Sequence, residues 1–143
     1  MRKRASFLVA TICIVMLSAC SNELSQVNSS LEQFAVDDSW QIFAFSDFHV
    51  DGWQKLCVFG PYLGKEKQKE VLGFDAALIP NEDDSKMWLV FIANDAVVGH
   101  VSHPRNQGDL VRVENQCFLR EDGNFTKERG TDRRVYLQHF RNA

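Results

Sequence analysis

The chain has 143 residues, 45% of them hydrophobic with eleven Phe and three Trp, and a formal net charge of −3. That is enough apolar material for one core and too short a chain for two ordinary domains, so general disorder and a two-domain organisation are both disfavoured. The acidic balance argues against nucleic acid as a partner held by bulk charge.

Arg2, Lys3 and Arg4 open the chain, and an apolar run from Phe7 to Leu17 follows. The run is too short to span a bilayer comfortably, and Ser21-Asn22-Glu23 ends it abruptly, so it reads as an export signal and not as a membrane anchor. It closes on Leu17-Ser18-Ala19-Cys20. This motif resembles the lipobox of bacterial lipoproteins. The resemblance implies cleavage before Cys20, lipid on the Cys20 thiol, and a bilayer as the partner of that acylated residue; two or more acyl chains give stable anchoring where one is marginal. Because Ser21, and not Asp, follows the cysteine, the resemblance favours the outer membrane with the domain facing the periplasm. The inner membrane or the cell surface is the alternative.

The expected organisation is a signal peptide over 1–19, the lipidated cysteine and a tether over 20–30, and a single globular domain over 31–143. The leader holds three of the sixteen Lys and Arg and none of the nineteen Asp and Glu, so the mature chain is more acidic than the precursor. Charge is also uneven: residues 20–98 carry five basic and thirteen acidic side chains, residues 99–143 eight and six. Arg120, Lys127, Arg129, Arg133 and Arg134 concentrate the positive end. Pairing between the halves or solvation accounts for this pattern, with a basic patch for an acidic partner as the alternative.

Of the four cysteines, Cys13 belongs to the leader and Cys20 to the lipid. Cys57 and Cys117 are left, each in an apolar strand-like stretch, and an oxidising periplasm should join them in one disulfide. Their spacing fits neither a redox CxxC nor a zinc site.

In chain order, the serine-rich 21–30 suits a tether, although it could begin a helix. Ser29 to Glu32 has the pattern of a capping box, and Leu31, Phe34 and Ala35 share a face, which predicts a short helix ending near Asp37. Trp40 to Phe45 reads as a strand. Gln54 to Phe59 is a clearer one, with Leu56 and Val58 on one side, Cys57 and Phe59 on the other, and Gly60-Pro61 as the stop. Residues 64–72 are charged and read as a short helix or loop; Phe74 to Ile79 is apolar, and Pro80 to Ser85 a turn. Met87 to Ile92 and Val97 to Val101, joined at Ala93-Asn94-Asp95, give the strongest hairpin signal. Pro104 to Asp109 reads as a loop, Leu110 to Leu119 as alternating β structure, Lys127 to Asp132 as a polar loop and Val135 to Phe140 as a last strand. The fold class is therefore α+β: a mostly antiparallel sheet of five to seven strands with one or two short helices and one disulfide, with a small β-barrel or sandwich as its rival.

Few residues suggest chemistry. Asp47-Phe48-His49-Val50-Asp51-Gly52 has the start of a calcium loop, but the position for the bidentate Glu is Val58, so a polar turn is the better account. His100 and His103, three apart at the end of a predicted strand, would converge on a metal only with a bend at Ser102, and a metal or acid/base role for them needs a carboxylate such as Asp47 or Asp51 to approach. His49 and His100 are candidate binding residues, and His139 is a lone histidine. No GxSxG, HExxH, Walker-type loop or dinucleotide fingerprint occurs, so no catalytic residue, metal or cofactor is assigned. The segment WQKLCVFGPY is similar to short segments of small, uncharacterised lipoproteins of Gram-negative bacteria, and within it Trp53 and Tyr62 are candidate contact residues. The expected activity is protein binding, as an envelope accessory or an inhibitor or immunity-type module, with a periplasmic or envelope protein as partner. The alternatives are binding of a small ligand, lipid or cell-wall fragment in an aromatic concavity that Trp40, Trp53, Trp88 or Tyr62 would line, and, third, a hydrolase.

Overall fold

The computed structural model describes residues 19–76 and 83–141, with side chains from residue 23 onward. The leader up to Ser18, the Cys20 side chain and the expected apolar and turn residues at 77–82 lie outside the described residues.

Among the described residues two helices, α1 (Ala19–Val36) and α2 (Lys65–Leu72), accompany seven strands: β1 (Phe43–Ala44), β2 (Lys55–Phe59), β3 (Lys86–Ala93), β4 (Ala96–Pro104), β5 (Gln116–Leu119), β6 (Asn124–Arg129) and β7 (Val135–His139). The strands form two antiparallel sheets, one ordered β4-β3-β2-β5 and the other β1-β6-β7, and the sheets do not close into a barrel. The protein is α+β.

The larger sheet is covered on both faces. Leu56, Val58, Met87, Leu89 and Phe91 point to the main core shared with α1 and the smaller sheet, while Cys57, Phe59, Val90 and Ile92 point to Leu72 of α2. The alternation read along β2 is thus realised residue by residue, because successive strand side chains face opposite ways. Burial on both faces also explains why β3 is apolar almost throughout. Asn94 and Asp95 both take positive φ, 50° and 55°, in the two-residue turn between β3 and β4. Such a turn matches the twist of its flanking strands, and Asn and Asp tolerate the left-handed conformation it needs. Cys57 sits opposite Cys117 in the β2–β5 register, with Cα atoms 4.0 Å apart, and the two are disulfide-bonded.

Four expectations change. The stretch 21–30, read as a tether, is helical, and α1 runs 18 residues where a short helix was expected. Leu24, Val27, Leu31 and Phe34 form one apolar stripe at spacings of three and four, and Val27 and Leu31 are fully buried, so tertiary burial overrides the low helix propensity of the serines. Ser29 accordingly does not cap: its hydroxyl donates back to the carbonyls of Ser25 and Gln26 within the helix. Next, Trp40 to Phe45 supplies only a two-residue strand, because the chain turns into a 3-10 helix at Phe45–Asp47 as Phe43 and Phe45 both enter the core. Similarly, Leu110 to Leu119 is strand only from Gln116, with a 3-10 turn at Val111–Val113. Finally, β6 takes the first half, Lys127 to Arg129, of what reads as a polar loop at Lys127 to Asp132.

Helix α1 lies along β4. Near the helix start, a methyl on Gly99 would meet Val50 Cγ1 at 2.9 Å and Leu24 Cδ2 at 3.2 Å, so the absence of a side chain there admits the close approach. Further along, Asn28 Nδ2 donates to the Ser102 carbonyl at 2.8 Å. At its end, Lys127 of β6 donates to the carbonyls of Phe34 and Asp37 with its ammonium 4.8 Å from the Phe34 ring centroid. The last turn of α1 has no basic residue of its own, and Lys127 supplies the cation that the helix C-terminus favours.

Candidate binding surface

The four residues singled out for binding occupy different settings. Trp53 is 1% exposed; its indole donates to the Phe48 carbonyl at 2.7 Å, and the Arg120 guanidinium lies 5.3 Å above its ring. Arg120 also donates to the Ser46 carbonyl at 3.1 Å and to His49 Nδ1 at 3.1 Å. Trp53, His49 and Arg120 therefore form one junction that ties the 46–53 loop to the end of β5. Tyr62 is 60% exposed just ahead of α2, and His100, exposed on β4, packs its ring 5.0 Å from that of Trp88. The structure brings His49 to Trp53 and leaves Tyr62 and His100 apart from them. The aromatic concavity is not assembled around Trp53, whose ring is in the core. Among the described residues no three His, Cys, Asp or Glu side chains converge as a metal site would require.

The other two histidines are held by the fold. His139 Nε2 contacts the Asp122 carbonyl at 2.7 Å, and its ring lies 4.5 Å from that of Phe118. His103 is fully buried, with Nδ1 3.0 Å from Asn28 Oδ1 of α1 and Nε2 3.0 Å from the Gly108 carbonyl. Burial pushes its pKa below the ordinary histidine value; the carbonyls of Gly108 and Gln107 and the charge of Asp109 oppose this without reversing it.

Beside it lies a pair that the sequence did not disclose. Asp109 is fully buried. Arg105 Nε donates to its two carboxylate oxygens at 3.1 and 3.0 Å, a second guanidinium nitrogen reaches Oδ2 at 3.0 Å, and the Val111 amide donates to Oδ1 at 3.0 Å. The carboxylate holds the Arg105 guanidinium above its ordinary pKa. A buried carboxylate is tolerable only when its lone pairs are filled in this way. Its position follows from the backbone: Asp109 bonds to Val135 and Leu137 of β7, which pins this loop to the smaller sheet.

Above this pair opens a cleft of about 1060 Å³ between the end of α1, the turn before β3, the 3-10 turn Arg105–Gln107 and the β6–β7 hairpin. Ala35, Val36, Pro104 and Val135 give it an apolar part, and Val36 is 72% exposed. Arg129, Arg133 and Arg134 supply a positive wall, and Glu32 and Asp84 line it as well. The basic cluster expected from the sequence is thus divided: Arg120 and Lys127 are spent on backbone carbonyls, and the other three face this cleft with exposed side chains. Their ion pairs are loose. Arg129 is 3.9 Å from the exposed Asp38, and Arg134 is 3.8 Å from Asp109 and 3.7 Å from Asp132.

The hairpin tip that carries them is internally braced. Gly130 N donates to the Arg134 carbonyl at 2.8 Å, Arg133 N to the Gly130 carbonyl at 3.1 Å and Arg134 N to Asp132 Oδ1 at 3.1 Å. Tyr136 Oη donates to Asp132 Oδ2 at 2.7 Å, which lowers the Asp132 pKa and raises that of the tyrosine. Arg133 is held at φ 66°, a conformation that costs a non-glycine residue energy and persists because these bonds over-determine it.

Comparison with protein-family models, curated proteins and solved structures returned no match. Among the described residues no helix is long and apolar enough to cross a membrane.

Proposed function

We propose that this is an exported lipoprotein, anchored through acyl chains on Cys20, that presents its domain to the periplasm from the outer membrane and acts by binding another protein. The observation that carries the reading is the basic-then-apolar leader closing on Leu17-Ser18-Ala19-Cys20. The Cys57–Cys117 disulfide agrees with it, since such bridges persist in oxidising compartments. Protein binding, in preference to catalysis, draws support from the use of His103 and His139 in holding the fold, and from a charged, partly apolar cleft of the kind protein interfaces use. An envelope accessory and an inhibitor or immunity-type module both fit this chemistry.

The test is Cys20→Ala in cells fed a labelled fatty acid. Wild-type protein should take up the label and fractionate with membranes, and the variant should remain as unlabelled precursor. A variant still processed, labelled and membrane-bound would overturn the anchoring.

A further inference from the structure

We infer that the tip of the β6–β7 hairpin, with Arg133 at its centre and Arg129 and Arg134 beside it, is the element that contacts the partner, and that it docks on a carboxylate-rich surface of a protein. This rests on the protein-binding reading above and goes further by naming the surface and its chemistry.

The argument begins with presentation. Three arginines are exposed on a tip braced by four hydrogen bonds, three of them made by its backbone, so little ordering entropy is lost when a partner engages it. The Arg133 side chain forms no ion pair or hydrogen bond among the described residues, and the pairs of Arg129 and Arg134 are long, at 3.9 Å for the first and 3.8 and 3.7 Å for the second. Asp132 is the acidic member of the tip, and the Tyr136 hydroxyl and the Arg134 amide already occupy it. Glu32 and Asp84 line the same cleft and make no ion pair with these arginines among the described residues. What faces outward is therefore a planar, five-donor group suited to bidentate carboxylate recognition. A macromolecular partner, as opposed to a small anion, is indicated by the apolar ground next to the arginines, where Val36 and Val135 share the cleft; a free anion has no use for it.

Placement gives the second line. Helix α1 has 18 residues and so extends about 27 Å. Its first turn contains Cys20, Leu24 lies by Gly99 and Val50, and Ala35 and Val36 at the other end line the arginine cleft. The loops at the Cys20 end carry Asp47, Asp51 and Asp95. A domain anchored at Cys20 thus turns an acidic end toward the lipid and the arginine tip away from it.

The experiment uses the full-length, lipidated protein in cells. A photo-crosslinking benzoylphenylalanine is placed at Thr131 on the tip or, for comparison, at Leu119, which is 51% exposed and lies at the Cys20 end. The expected result is a protein adduct from Thr131 whose cross-linked peptide is rich in Asp and Glu, reduced at least 10-fold by Arg129→Glu with Arg133→Glu and less by Arg133→Gln. Both variants must melt within 2 °C of the parent; if the double reversal does not, Arg133→Gln alone decides, with a loss of at least 3-fold expected. An adduct that survives charge reversal, or one on a peptide without acidic residues, overturns the inference. Adducts from Leu119 alone overturn the tip and leave protein binding standing, and no adduct from either position overturns both.

Discussion

Asp109 is the residue whose loss the fold should feel most. Its carboxylate is fully buried and accepts from Arg105 and from the Val111 amide. Asp109→Ala would leave a guanidinium whose side chain is 24% exposed facing a void, together with an orphaned amide. Removing one member of a buried, hydrogen-bonded pair costs about 3–5 kcal/mol, mostly because the other charge is stranded. We therefore expect about 4 kcal/mol, or a fall in Tm of about 15 °C for a domain of this size. Asp109→Asn keeps the shape and one acceptor oxygen and should cost about half as much. Urea denaturation of the three proteins, followed by circular dichroism, measures the difference. A loss below about 1 kcal/mol for Asp109→Ala would refute the reasoning, since the pair would then be no better than a surface salt bridge.

Two further stability effects follow from the geometry. The Cys57–Cys117 bridge has a sequence separation of 60, and a loop of that length corresponds to about 4 kcal/mol in the chain-entropy model, so Cys57→Ala with Cys117→Ala should melt well below the oxidised parent; equal melting temperatures would show that the bridge constrains nothing in the unfolded chain. His103 has its pKa lowered by burial, so the unfolded chain binds a proton that the folded chain refuses. Stability from this residue is complete above the ordinary histidine value of about 6.5 and declines as pH falls from there toward the folded value. His103→Gln should flatten that part of a pH–stability curve, and a slope unchanged by the substitution would place its origin elsewhere.

The sequence disclosed what local pattern and turn chemistry encode. Leu56 and Val58 opposite Cys57 and Phe59 gave β2 and both its faces, and Asn94-Asp95 gave the β3–β4 hairpin. The disulfide was legible from the cysteine count and from the oxidising compartment that the leader implies. The parts that stayed hidden depend on contacts distant in the chain. Ser29 and Ser30 look like a helix start because the upstream apolar stripe has only Leu24 and Val27, and its worth appears only when β4 covers it. Strand β6 looks like a loop because Lys127 and Glu128 are polar, yet Lys127 is drawn to the end of α1 and Glu128 pairs with Arg112. Arg105 and Asp109 stand four apart in a segment with no helical pattern, so their spacing carries no signal until β7 buries the loop. The arginine cluster was visible as charge; which members are free to bind was not.

The two-sided burial of β3 has a consequence for how the chain is made. Residues 87–93, MWLVFIA, have neither charge nor proline, and bare segments of that composition stack readily on copies of themselves. Lys86 and Asp95 flank the run and break its continuation. More protection comes from order of arrival. Helix α1, strand β2 and helix α2 all precede β3 in the chain. A polypeptide that appears N-terminus first has a cover for each face, and one strand neighbour, waiting before its stickiest segment emerges.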